Sequence, residues 1–371
     1  MKERLESVHV PAEAEERSWE VVRAAFRERE VVPVRQRVIR PALGLAAVLA
    51  LVAAALSPPG RAVLGSLRDS IAGERHAAPA LFALPARGRL LVDSAEGPWI
   101  VRRDGSKRLL GDYDSASWSP HGLFVIAAKG NELAALTPGG DVRWTLARRN
   151  IDFPRWGGSR VDTRVTYLTA GRVHVVAGDG TGDAAACSER RPARAAPAWQ
   201  PGAGHVLAYA DVLGRVSVVD TGACSLLWHS PRLGRVRQLE WSGDGRRLLV
   251  LRAHDVLLFD EHGRRVGRLP IDRVVAASFA PSGHRLVLIR SQDVLVLVPA
   301  RPGGAQRVFA GIGGFTGGVW SPDGRWLLVE WASADQWIFV RTVGARRVLA
   351  VSNIGRQFGG AFPSVAGWCC G

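Results

Sequence analysis

Between residues 81 and 371 the apolar positions come in short runs broken by turn residues, not at helical spacing. One unit shows the pattern. "RQLEW" alternates and ends on an aromatic, "SGDG" follows, then "RRLLVLR" is a continuous apolar run, "DVLLFD" a second and "RRVGRL" an alternating one. Runs of four to seven residues bounded by Gly, Asp or His read as four successive strands. The Asp-Gly pair supplies the positive φ that a tight hairpin needs. The continuous run suits a strand buried on both faces. The tryptophan ahead of the turn is large enough to wedge between neighbouring units and bury much apolar area.

The aromatic recurs. The markers are Trp118 in "ASWSPHGLFVIA", Trp156 in "PRWGGSR", Trp199 in "PAWQPGAGHVLAYA", Trp241 in "LEWSGDGRRLLVL", Phe279 in "ASFAPSGHRLVLI", Trp320 in "GVWSPDGRWLLVEW" and Trp368 in "AGWCCG". Their spacings are 38, 43, 42, 38, 41 and 48 residues, the length of a four-stranded propeller blade. The ends complement each other. Before Trp118, "GRLLVDSAEGPWIVRRDGSKRLLG" holds three strands without a first, and Trp368 sits on a first strand with nothing after it. Joined, they complete one blade and remove the free sheet edges. The fold class is therefore all-β, a seven-bladed β-propeller of four-stranded antiparallel blades over residues 81–371. Six or eight blades are the alternatives if Trp156 or the long last interval misleads.

A different pattern precedes it. "PALGLAAVLALVAAALSPPG", residues 41–60, carries no charge. As a helix it would be about 30 Å long, the thickness of a bilayer core. Its five leucines and two valines contribute an insertion free energy of roughly −2 to −4 kcal/mol. We assign residues 39–59 to a single transmembrane helix, with a cleaved signal peptide as the alternative. Arg23, Arg27, Arg29, Arg35, Arg37 and Arg40 precede it, and only Arg61, Arg68 and Arg75 follow at similar range. This bias places the N-terminus in the cytoplasm and the propeller outside the cell membrane. Residues 1–38 form the cytoplasmic segment. There Trp19, Val22 and Phe26 share one face of a short helix that could dock on a partner or the inner leaflet; a frayed tail is the bland reading. Residues 60–80 read as a stalk.

Charge changes this picture little. The chain has 49 Lys+Arg against 34 Asp+Glu, a net +15. Only Lys2, Lys107 and Lys129 are lysines, and the arginines are scattered, as in a GC-rich coding sequence. An anionic wall polymer is a candidate ligand; nucleic acid is not expected, since no basic block occurs. Four cysteines suit an oxidising exterior. Cys187 and Cys224 hold matching places in consecutive repeats and are the favoured disulfide pair, while Cys369 and Cys370 read as two reduced buried thiols, with a vicinal bridge between them as the alternative. No catalytic, metal or cofactor set is legible: there is no Gly-x-Ser-x-Gly elbow, no paired-histidine metal motif and no phosphate-binding loop. His121 and His284 fall in turns. The glycines of "AGIGGFTGG", residues 310–318, read as an irregular inter-blade loop.

From about residue 82 onward the "WSPDG"-plus-strand phrase resembles the TolB-like, WD-repeat-like propellers of bacteria. It is sharp at Trp320–Gly324, good at Trp118–Gly122 and Trp241–Gly245, and degenerate at Trp156. The layout of helix, span and propeller is similar to that of actinobacterial membrane proteins of this type. The resemblance implies a noncatalytic scaffold for protein contacts outside the cytoplasm. The N-terminal segment lacks the His-x3-Cys-x2-Cys motif of zinc-binding anti-sigma factors. A second resemblance points to an enzyme. "NELAALTPGGDVRW" ending at Trp144 and "GRVSVVDTGACSLLW" ending at Trp228 look like quinoprotein dehydrogenase repeats, in which Trp packs on a blade-end Gly. Quinone-binding members of that family can hold a disulfide between adjacent cysteines, as at Cys369-Cys370, and the family would imply pyrroloquinoline quinone, calcium ligands and a catalytic Asp, for which no residues can be assigned. No cofactor is expected, and the protein is read as a protein-interaction or sensing scaffold.

Overall fold

The computed structural model describes residues 83–159, 161–186, 193–297 and 304–370. Among them, 28 strands, numbered β1 to β28 in chain order, form seven four-stranded antiparallel sheets. The expected cytoplasmic helix face of Trp19, Val22 and Phe26, the apolar span and the stalk lie outside the described residues. Among the described residues no helix is long and apolar enough to cross a membrane.

The blade read from sequence is present strand for strand: β16 (Gln238–Trp241), β17 (Arg247–Leu251), β18 (Asp255–Asp260) and β19 (Arg265–Pro270). The ring closes by pairing the last described strand with the first. β28 (Ser364–Cys369) lies beside β1 (Arg89–Ser94), with Leu90 opposite Trp368, followed by β2 (Gly97–Val101) and β3 (Lys107–Leu109). We number this closing sheet blade 1, and blades 2 to 7 follow in chain order. Their inner strands are β4 (Ser115–Trp118), β8 (Ile151–Gly158), β12 (Ala198–Trp199), β16, β20 (Val274–Phe279) and β24 (Phe315–Trp320).

The core lies between blades. Leu248 and Val250 of β17 pack toward blade 4 with Trp241, while Leu249 and Leu251 pack toward blade 6 with Phe279. Strand alternation thus buries both faces of one run, which is why it reads as unbroken apolar sequence. Each marker aromatic sits in the cluster shared with the preceding blade; Trp320, for example, packs among Val287, Ile289 and Val294 of blade 6. Trp199 and Trp320 also donate their indole N–H backward, to the carbonyls of Arg155 and Ser278, and Trp368 donates to the Arg87 carbonyl just ahead of β1.

The Ser-x-Asp-Gly phrase is a self-contained turn. Ser321 is fully buried; its hydroxyl donates to Asp323 and accepts from the Trp326 amide, and Gly324 returns its own amide to the Ser321 carbonyl. Ser242 and Asp244 repeat the arrangement. Gly122, Gly245 and Gly324 have φ of +63°, +70° and +64°, the left-handed region that favours glycine. These turns also carry inter-blade bonds: Arg89 donates to Gly122 O at 2.7 Å, Gln200 to Gly245 O at 2.7 Å and Arg285 to Gly324 O at 2.8 Å. His284 reaches back to Asp244 of the previous turn at 2.9 Å, so it does more than fill a turn position.

The glycine-rich stretch 310–318 is only partly a loop. Its second half is the start of β24. A side chain at Gly317 would meet the Glu330 carboxylate, and one at Gly318 the Leu328 carbonyl and Ile289. The glycines therefore make room for close packing within and between blades.

Three carboxyl groups tie one blade to the inner strand of the next. Glu330 accepts the Val365 amide at 2.7 Å, Glu240 the Phe279 amide at 2.7 Å and Asp93 the Ala116 amide at 3.5 Å. Each bond crosses to the next blade. Burial is the dominant influence on all three, and it raises each pKa to about 7 despite these hydrogen bonds.

Two predictions follow from this packing. Trp241 is only 5% exposed, so Trp241→Ala lowers unfolding free energy by about 3–5 kcal/mol, read from the urea midpoint at unchanged slope. The three acids have folded-state pKa values above those of the unfolded chain. Their contribution to stability is complete below about pH 4 and is lost as pH rises through about 7. Stability therefore declines from pH 5 to 8, on the order of 2–3 kcal/mol for each group. Asp255, held below the ordinary carboxylate range chiefly by its hydrogen bond from Arg252, acts in a more acidic window. Glu240→Gln flattens the slope by roughly a third; a slope as steep as wild type means Glu240 does not titrate there.

Candidate functional site

Strand alternation that sends each marker aromatic into a blade interface sends the residue before it toward the central channel. Those residues are Ser117, Arg155, Ala198, Glu240, Ser278, Val319 and Gly367. All but Gly367 line a cavity of about 650 Å³. Arg194, Arg237 and Phe153 stand nearer the mouth, where outer strands of one blade lead into the inner strand of the next.

Two positions of this ring are charged. Glu240 is engaged with its neighbours: Oε1 accepts from the Ser278 hydroxyl at 2.8 Å and the Phe279 amide at 2.7 Å, and Oε2 accepts from Gln238 Nε2 at 3.1 Å. Gln238 in turn donates to the Ala277 carbonyl at 2.6 Å. Arg155 is different. Its Nη1 donates to its neighbour's carbonyl, Pro154 O, at 2.9 Å. Among the described residues no carboxylate stands within ion-pair distance of it. Burial holds its pKa below the ordinary arginine value, against the opposing field of Asp93. Arg155 is half-buried and lines the cavity. Arg237 caps the Val274 carbonyl at 2.8 Å, and Arg194 is exposed.

The residues singled out from sequence lie elsewhere. The seven marker aromatics fill inter-blade clusters. Cys224 is disulfide-bonded; Cys187 lies outside the described residues. Cys369 and Cys370 are joined to each other in place of two reduced thiols, and their sulfurs lie against the Gly122 turn of blade 2. Trp144 donates to Gly178 O at 2.9 Å and covers Gly180, and Trp228 donates to Glu261 O at 2.9 Å and covers Gly263. Both thus pack an outer-strand Trp on a glycine turn of the next blade. Among the described residues no group of His, Cys, Asp and Glu could hold a metal. The densest titratable cluster outside the channel is on blade 3, where Asp183 accepts from Tyr167 Oη at 2.6 Å and Arg148 Nε at 2.8 Å; these groups satisfy one another. Arg155 was missed in sequence, although the rule that finds it needs only the markers: read the residue before each one.

No protein-family profile matches this chain, and no curated protein matches it by sequence. Solved structures share its fold. A chain of the mitotic checkpoint complex aligns with TM-score 0.55 and 16% identity over 72% of this chain and 90% of its own. A chain of Kuenenia stuttgartiensis hydrazine synthase aligns with TM-score 0.50 and 15% identity over 61% of this chain and 75% of its own. Matching solved chains number 1548, so the likeness identifies a β-propeller scaffold and singles out no activity.

Proposed function

We propose that this protein is a noncatalytic, membrane-anchored scaffold whose propeller lies outside the cytoplasm and binds a protein partner, with residues 1–38 reporting to a second partner inside. The observation that carries this reading is the state of the polar groups at the propeller's centre. Glu240, Gln238 and Ser278 bind one another and the next blade's backbone, so they hold the ring rigid and are not free for proton transfer. The disulfides at Cys224 and at Cys369–Cys370 suit an oxidising compartment. The charge bias around residues 41–60 supports the same orientation. The arginine-rich surface makes an anionic wall polymer a second class of ligand.

Two features favour a quinoprotein oxidoreductase as the alternative. Trp144 and Trp228 dock on glycine turns in the manner of that family's repeats, and adjacent cysteines are bridged. The scaffold reading is preferred because a quinone would also need calcium ligands and a catalytic carboxylate in the channel, where Glu240 is already engaged.

Three measurements test these readings. A phosphatase fused after residue 371 is active and a fluorescent protein fused there is dark; the reverse pattern places the propeller inside. Full-length protein purified in detergent, incubated with pyrroloquinoline quinone and calcium, gains no quinone absorbance after desalting; stoichiometric retention would establish the enzyme instead. Cross-linking in intact cells captures an exported protein on the propeller, and recovery of lipid or wall polymer alone counts against a protein partner.

A further inference from the structure

We infer that the central channel is a binding site for a small organic oxyanion, a carboxylate or phosphate compound, held by Arg155 and admitted past Arg194 and Arg237. This does not rest on the scaffold reading, because it concerns the propeller's interior whatever partner binds outside.

The argument starts from the ring of residues that precede the markers. Ser117, Ala198, Ser278, Val319 and Gly367 are neutral. Glu240 has both carboxyl oxygens bonded to neighbouring groups. Arg155 is therefore the one charge of the ring that makes no ion pair among the described residues, and Asp93 acts on it only through its field. An arginine in this setting is costly to keep: burial already acts against its charged form. Its guanidinium lines the cavity and makes one hydrogen bond among the described residues, to the adjoining Pro154 carbonyl, out of five N–H groups.

The surroundings define the ligand. A guanidinium fork matches the two oxygens of a carboxylate or phosphate in bidentate geometry. Partial exclusion of water strengthens that pairing relative to bulk solution. The cavity volume of about 650 Å³ falls within the roughly 300–1,000 Å³ of small-molecule sites. Ala198, Ala276 and Val319 give it an apolar wall, and Ser117 offers a hydroxyl, so a short carbon skeleton with an anionic end fits better than a bare ion. Arg194 and Arg237 surround the entrance with positive charge, which concentrates anions there. Arg237 is anchored by its bond to the Val274 carbonyl, so it stays at the mouth.

Isothermal titration of the full-length protein in detergent, at constant ionic strength, tests this with three probes: inorganic phosphate, citrate and uncharged glucose. At least one oxyanion binds and glucose does not; comparing phosphate with citrate tells which anion class the site prefers. Arg155→Ser, which installs the residue blades 2 and 6 carry at this ring position, weakens that binding at least tenfold. No binding of either oxyanion to wild type, or equal binding to folded Arg155→Ser, overturns the proposal. If that variant does not fold, phenylglyoxal labelling of wild type decides: the bound oxyanion slows modification of Arg155 but not of exposed Arg143, and unchanged labelling of Arg155 overturns the proposal.

Discussion

No blade of this protein has a core of its own, and everything else depends on that constraint. A four-stranded sheet presents two apolar faces, and each is covered only by the sheet beside it. Leu248 and Leu249 are adjacent in sequence yet belong to different interfaces. The marker aromatics fill the wedge between diverging sheets. The carboxyl groups of Asp93, Glu240 and Glu330 bind the next blade's backbone, so apolar contact and hydrogen bonding enforce the same spacing. Repeat proteins that gain stability from neighbour contacts behave as coupled units; a closed ring couples the last unit to the first.

What could be read from the chain alone follows from this physics. A blade needs a large aromatic, a left-handed turn residue and a two-faced apolar strand at fixed offsets, so the repeat stands out even where single positions drift. Closure was legible because three strands at one end and one at the other make a whole blade. Blade 3 was hard to read at Trp156 because β8 has no Ser-x-Asp-Gly turn. It runs eight residues, with a register shift between Asp152 and Arg155 and φ of +51° at Phe153. A side chain at Gly157 would overlap the Trp199 ring, so that glycine answers to a neighbour 42 positions later. These three acids were invisible for a related reason. In sequence they are polar residues on strands, and only the curvature of the ring turns them toward the next blade. The channel lies one residue from the clearest signal in the chain, yet its chemistry appears only when the seven preceding positions are compared with one another.

That comparison separates two uses of charge inside the ring. Glu240 is a structural acid, with both carboxyl oxygens bonded to neighbouring groups. Arg155 is held open by a fold that surrounds it without pairing it. The scaffold supplies rigidity through the first and leaves a recognition element in the second. The outer-strand tryptophans act at the opposite radius, fastening Trp144 and Trp228 to glycine turns of adjoining blades, so the sheets are clamped at both the hub and the rim.

The pairing of Leu90 with Trp368 has a consequence for biosynthesis. Of the described strands β1 is made first, and its partner β28 is made last. At about 5–20 residues per second, the wait spans roughly 15–60 s. Throughout it, the edge of β1 exposes unpaired amides and carbonyls that any passing strand could capture. Until β28 is made, that edge stays open to mispairing.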